Sequence, residues 1–182
     1  MGFEHEVVGT TERYRGPIFD VVTDEVTMSD GGTAKRDVVR NKGAVVVVAL
    51  DDDGRVVLIK QYRHALGRRI WELPAGLRDV EGEDPAVAAA RELAEEVDLT
   101  AGRMEKLVEV HTSPGFSTEH VVIFLARDLA PVPDADRFDR HDEEADLEVV
   151  RVSLDDAIAM ILRGEITNAA AVAGLLAAAR AL

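Results

Sequence analysis

Apolar and polar residues alternate along positions 18–28 (IFDVVTDEVTM) and again along 33–40 (TAKRDVVR), with Ser29-Asp30-Gly31-Gly32 between them. Period-two alternation marks strands with one buried face, and the residues between accept tight turns, so a β-hairpin is expected near the N-terminus. Positions 44–50 (AVVVVAL) form an unbroken, largely β-branched run, which reads as a strand buried on both faces. After a turn at 51–54, positions 55–63 (RVVLIKQYR) alternate again as an adjacent antiparallel strand. Further strands are expected over 70–74, 106–112, 120–127 and 146–152.

The period changes to that of a helix at Pro85–Val97 (PAVAAARELAEEV), with Pro85 at a favoured first-turn position. Ser153 is placed to cap a helix over 154–163, with Asp155 and Asp156 in its first turn, where acids suit the helix dipole. A last helix over 167–182, capped by Thr167 or Asn168, is rich in alanine and suits close packing against a sheet or a partner chain. Positions 130–142 (APVPDADRFDRHD) are polar, acidic and Pro-containing, the pattern of a long surface loop, and loops of that length are often functional. With no internal repeat or linker, strands mixed with three helices predict an α+β domain of layered α/β/α type.

Composition narrows the partners more than the fold. The chain has 182 residues, enough for one sizeable core, and 35 acidic against 21 basic side chains give a formal charge of −14. That field repels polyanions, so neither nucleic acid nor an anionic membrane is expected as a partner, whereas a small phosphorylated ligand can be neutralised locally by arginine and divalent cations. There is no cysteine, which removes disulfides and thiolate metal sites. The N-terminus lacks the order of a signal peptide, and the longest apolar runs fall short of the ~20 residues needed to span a bilayer, so a cytoplasmic protein is expected.

The candidate chemistry lies at 71–99. Glu92 and Glu96 are four residues apart, and Glu92 and Glu95 three, so all three project from neighbouring turns of one helix. Like charges at these spacings usually cost a helix ~0.2–0.5 kcal/mol each, and a bound hard cation is one reason to keep them together. Alone, an RExxEE helix is weak evidence, because acidic solvent faces are common. The Asp51-Asp52-Asp53-Gly54 turn is no calcium loop: counted from Asp51, the glycine stands fourth and Tyr62 occupies the twelfth position, where a bidentate acid is required. The five histidines show no paired spacing that would make a zinc site.

Gly76, Glu83 and Arg91-Glu92-Leu93-Ala94-Glu95-Glu96, with Leu99, resemble the signature box of the Nudix hydrolases, which cleave nucleoside diphosphates linked to another moiety. Gln61-Tyr62-Arg63, Trp71-Glu72-Leu73-Pro74-Ala75-Gly76 and Thr112-Ser113-Pro114-Gly115-Phe116 extend the likeness to the family's ADP-ribose pyrophosphatase branch. Two departures stand out: six residues separate Gly76 from Glu83 where the usual box has five, and Asp98 replaces the usual glycine near the helix end. Insertion is best tolerated in a loop, and aspartate enters the left-handed conformation more readily than most residues.

The resemblance implies a layered Nudix-type sandwich over 43–182 with a mixed sheet, preceded by an N-terminal β-hairpin segment over 1–42 that makes homodimer contacts. It implies Mg²⁺, or Mn²⁺, held by Glu92, Glu95, Glu96 and the Ala75 carbonyl, with Gly76, Glu83 and Arg91 bracing the box. The base comes from the distal acidic loop, with Glu144 first and Glu143 second, and Glu95 a supporting or bridging group. Arg63, aided by Arg69 or Arg68, is expected to clamp phosphate. Pro114 and Phe116 belong to a turn that goes with ADP-ribose as substrate, and Phe19 or Trp71 could stack on adenine. The expected reaction is hydrolysis of ADP-ribose to AMP and ribose 5-phosphate. The rivals are another nucleoside diphosphate derivative, such as a nucleotide sugar, or a Nudix-like module that senses ADP-ribose without cleaving it.

Overall fold

The computed structural model describes residues 3–139 and 146–182. The chain divides into two compact units, one comprising the segment up to Gly43 with His111–His120, the other Ala44–Val110 and Val121–Leu182.

In the first unit, strands β1 (Val7–Arg15), β2 (Phe19–Thr27) and β3 (Thr33–Asn41) form an antiparallel sheet in the order β1-β2-β3. The expected hairpin is β2 with β3, closed at Gly31, whose φ of +87° suits glycine. The strand β1 carries no alternation and is exposed along almost its whole length, so its sequence held no signal; pairing with the edge of β2 makes it a strand. Polar side chains cross-link the sheet. Asp24 accepts from Thr10 at 2.6 Å and from Arg40 at 2.9 Å, while Thr23 donates to Asp37 at 2.6 Å. The Thr10 hydroxyl, with Arg40 adding to it, holds the Asp24 carboxyl below its ordinary value against the opposing effect of burial. The rings of His111 and His120 lie 5.1 Å apart, a pairing their sequence spacing does not reveal.

The second unit contains β4 (Ala44–Ala49), β5 (Arg55–Arg63), β6 (Arg68–Glu72), β7 (Ala75–Leu77) and β10 (Glu148–Ser153), together with most of β8 (Leu99–His111) and β9 (His120–Pro131). They assemble into a mixed sheet ordered β7-β4-β9-β8 and an antiparallel sheet ordered β10-β5-β6. The strand β4 runs parallel to β9 and antiparallel to β7. The expectation that β4 and β5 are adjacent antiparallel strands is corrected: they meet at the turn, through the bridge between Leu50 and Val56, and belong to different sheets. The Asp51 carboxylate closes that turn by accepting from the amides of Asp53 and Arg55 and from the Arg55 guanidinium.

Helices α1 (Pro85–Val97), α2 (Leu154–Leu162) and α3 (Ala169–Ala181) cover the strands. Successive strand residues enter two separate cores. Val45, Val47, Val57, Ile59, Val122 and Phe124 pack with Ala89 and Leu93 of α1. Val46, Val48, Val56, Leu58, Ile123 and Leu125 pack with Ala157 and Met160 of α2 and Leu175 of α3. This is the expected α/β/α layering. It also explains why β5, read as alternating, is buried on both faces from Val56 to Ile59. Gly174 lets α3 lie close: a Cβ there would stand 3.1 Å from Ile123, Leu73 and Val48.

Candidate active site

The site is built on α1 and the loop that feeds it. Asp84 caps the helix, its side chain accepting from the Ala86 amide at 2.8 Å, and Pro85 opens the first turn. At the other end Asp98 adopts φ 55° and ψ 38°, the left-handed cap expected of an aspartate standing in place of the usual glycine. The apolar stripe Ala89-Leu93-Val97 enters the core, and Glu92 and Glu96 each stand one position before it. They are therefore carried inward, to 8% and 3% exposure, which rules out a merely solvated acidic face. Such carboxylates are costly to bury without partners.

Those partners come from the loop and from Arg91. The Ala75 amide donates to Glu96 Oε2 at 2.8 Å. Arg91 donates to Glu92 at 2.7 Å and Glu95 at 3.2 Å through Nη1, and to Glu83 at 3.4 Å through Nη2. Asp79 adds a fourth carboxylate 3.8 Å from that guanidinium, a participant the sequence reading did not include. Partial burial works against the charge of Arg91, but Glu92, Glu83 and Glu95 outweigh it and hold the group above its ordinary pKa. A turn from Val80 to Glu83 closes the lengthened loop, so the additional residue leaves Glu83 within reach of Arg91. Gly76 is required by close approach: a Cβ there would lie 1.9 Å from Glu92 Cδ.

Arg63 makes a two-pronged bond to Glu72, from Nε at 2.8 Å and Nη2 at 2.5 Å, with Glu72 only 2% exposed. Arg69 is bound to the Asp146 carboxylate at 2.8 Å, to the Asp146 carbonyl and to the Lys60 carbonyl at 3.1 Å. Trp71 carries the Lys60 ammonium 4.9 Å above its ring. Pro114 and Phe116 fall in the first unit, where the Phe116 amide donates to Ser113 and Phe116 itself is exposed. Phe19 lies in the same unit, with its ring 5.7 Å from Tyr14. Glu143 and Glu144 lie outside the described residues.

The donor set around α1 is entirely hard oxygen: three carboxylates and the nearby Ala75 carbonyl. That chemistry fits a divalent cation of the magnesium type. Among the described residues no three carboxylate or imidazole groups stand together as a ready-made cage; Arg91 and the Ala75 amide bond oxygens of Glu92 and Glu96.

The sequence profile of the NUDIX domain matches residues 40–173. The chain belongs to the Nudix family. An ADP-ribose pyrophosphatase of Mycobacterium tuberculosis is 46% identical over 174 residues, 96% of this Nudix chain and 83% of that relative. An ADP-ribose pyrophosphatase of Bacillus subtilis is 35% identical over 166 residues, 91% of this chain and 88% of that one. A solved structure described as an ADP compounds hydrolase matches with a TM-score of 0.82 at 24% identity, covering 99% of this Nudix chain and 95% of that one; at this identity the likeness speaks for the fold. As a Nudix hydrolase the chain is a pyrophosphohydrolase and depends on a divalent metal, a general property of the family.

Proposed function

We propose that this Nudix hydrolase cleaves the diphosphate of ADP-ribose, giving AMP and ribose 5-phosphate, with Mg²⁺ as its ion. The observation that carries the reading is the buried carboxylate pair Glu92 and Glu96 on a Gly76 loop, in a chain nearly half identical to an ADP-ribose pyrophosphatase. Glu92, Glu95, Glu96 and the Ala75 carbonyl would hold the metal, which when bound screens the phosphate oxygens and acidifies water. Arg91 neutralises part of the carboxylate charge and, with Glu83, keeps the loop against the helix. Arg63 takes diphosphate oxygens, because a guanidinium offers parallel donors in a plane that matches them. Arg69 supports the β6 side of the same sheet. Glu144, or Glu143 beside it, accepts the proton of the attacking water, since the helix carboxylates are committed elsewhere.

The enzyme is a homodimer in this reading. Support comes from the first unit: β1 is an edge strand with Val7, Val8 and Tyr14 all more than half exposed, the kind of edge a second copy covers.

The test is a substrate panel of ADP-ribose, nucleotide sugars, dinucleotides and nucleoside triphosphates with Mg²⁺, with products identified by mass. AMP and ribose 5-phosphate from ADP-ribose at the highest kcat/KM are expected, and excess chelator stops turnover. Preference for a nucleotide sugar, or hydrolysis that persists in chelator, would overturn the substrate or the metal assignment respectively.

A further inference from the structure

The bidentate pair between Arg63 and Glu72 is asymmetric. Its acidic half is 2% exposed, whereas the arginine side chain retains 44% exposure. Tying β5 to β6 does not require a charge in the interior, because the two strands are already joined by their backbone ladder from Ile59 and Glu72 to Arg63 and Arg68. A buried carboxylate beneath a half-exposed guanidinium instead anchors the cation in one orientation at the surface.

The register shows which surface that is. Ile59 lies directly opposite Glu72, and Gln61 opposite Ile70, so Ile59, Gln61, Arg63 and Glu72 share one face of the β5-β6 ladder. Ile59 belongs to the core that α1 closes with Ala89 and Leu93, so this is the face on which the carboxylate helix sits. Burial falls along it from Ile59 at 0% and Gln61 at 7% to the exposed Arg63 at the strand end. Arg63 pairs with Arg68 in the ladder, so its side chain reaches back along the strands to bond Glu72. On the same face the Gln61 Oε1 is buried with no hydrogen-bond partner.

We propose that Glu72 is a positioning residue of the hydrolytic site, acting through Arg63. Its carboxylate takes two of the five guanidinium N–H groups and thereby fixes the plane in which the others meet the diphosphate. The proposal rests on the reading of Arg63 as the phosphate clamp, and the experiment separates the two. Steady-state kinetics with ADP-ribose and Mg²⁺ are measured for Glu72→Gln, Arg63→Ala and the double variant, each with its thermal unfolding midpoint. A displaced guanidinium should lower kcat/KM roughly 10- to 100-fold in Glu72→Gln, mainly through KM. Because Glu72 acts through Arg63, the double variant should be no worse than Arg63→Ala alone, a non-additivity that general loosening does not produce. If Glu72→Gln folds poorly, Glu72→Asp retains the charge but withdraws the anchor by one methylene, and the same rise in KM is expected at an unchanged midpoint. Unaltered kinetics in Glu72→Gln or Glu72→Asp, or effects that multiply in the double variant, overturn the positioning role while leaving the clamp intact. Unaltered kcat/KM in Arg63→Ala overturns the clamp and the positioning role with it.

Discussion

Gly76 and Glu92 show how little freedom the site leaves a single side chain. With only 1.9 Å between a hypothetical Cβ at position 76 and Glu92 Cδ, Gly76→Ala must push the carboxylate or the loop aside. Overpacking of this kind costs about 1–3 kcal/mol, so a lower unfolding midpoint is expected, together with a higher Mg²⁺ requirement in a metal titration of activity. The acidic loop is tested by Glu144→Gln, which should lower kcat by ~10²–10⁴-fold with little change in KM, the scale of losing a general base. An unchanged kcat would move that role to Glu143 or elsewhere. That Glu92, Glu95 and Glu96 share one helix was legible from their three- and four-residue spacing, because spacing alone sets which residues share a helix face. Glu72 was not: in the sequence it is one acid in an alternating strand, and only the fold shows it buried beneath Arg63.

Elements whose ends carry capping or helix-starting residues lie close to where the sequence places them. The range Pro85–Val97 was anticipated as a helix from Pro85 and its apolar period, and Asn168 caps α3 by accepting from the Ala171 amide at 2.9 Å. Ser153 likewise accepts from the Asp156 amide at 3.0 Å. The strand β1 escaped notice because its residues bury nothing, and the divergence of β4 from β5 escaped because a local pattern does not say which sheet a strand joins. The alanine-rich α3 packs as its composition suggested. Gly174→Val should therefore destabilise by about 1–3 kcal/mol, as branched atoms enter space already bounded at 3.1 Å by Ile123, Leu73 and Val48, while leaving KM unchanged. Chemical denaturation and kinetics on the same preparation check both halves.

Across the whole molecule, acid sensitivity follows from carboxylates engaged only when folded. Burial pushes the Asp51 carboxyl up, but hydrogen bonds from the Arg55 amide and guanidinium outweigh it, leaving a net lowering. A folded-state value below the ordinary ~3.9 contributes stability that is present above that pH and is lost as the pH falls through the lowered value. The cost of Asp51→Asn should therefore be greatest near neutrality and shrink below about pH 4, which unfolding midpoints measured across pH will show.

The sequence by itself determined the layered class, the carboxylate helix from its Pro85 start to its Asp98 end, the family and the hydrolytic chemistry, because period, terminal residues and short motif spacings are local properties of a chain. Tertiary structure alone decided that Glu92 and Glu96 are buried, that Gly76 is there to admit Glu92, that β1 completes a three-stranded sheet, and that Glu72 grips Arg63. Each of those depends on residues brought together from separate turns or strands, where register and packing set the distances.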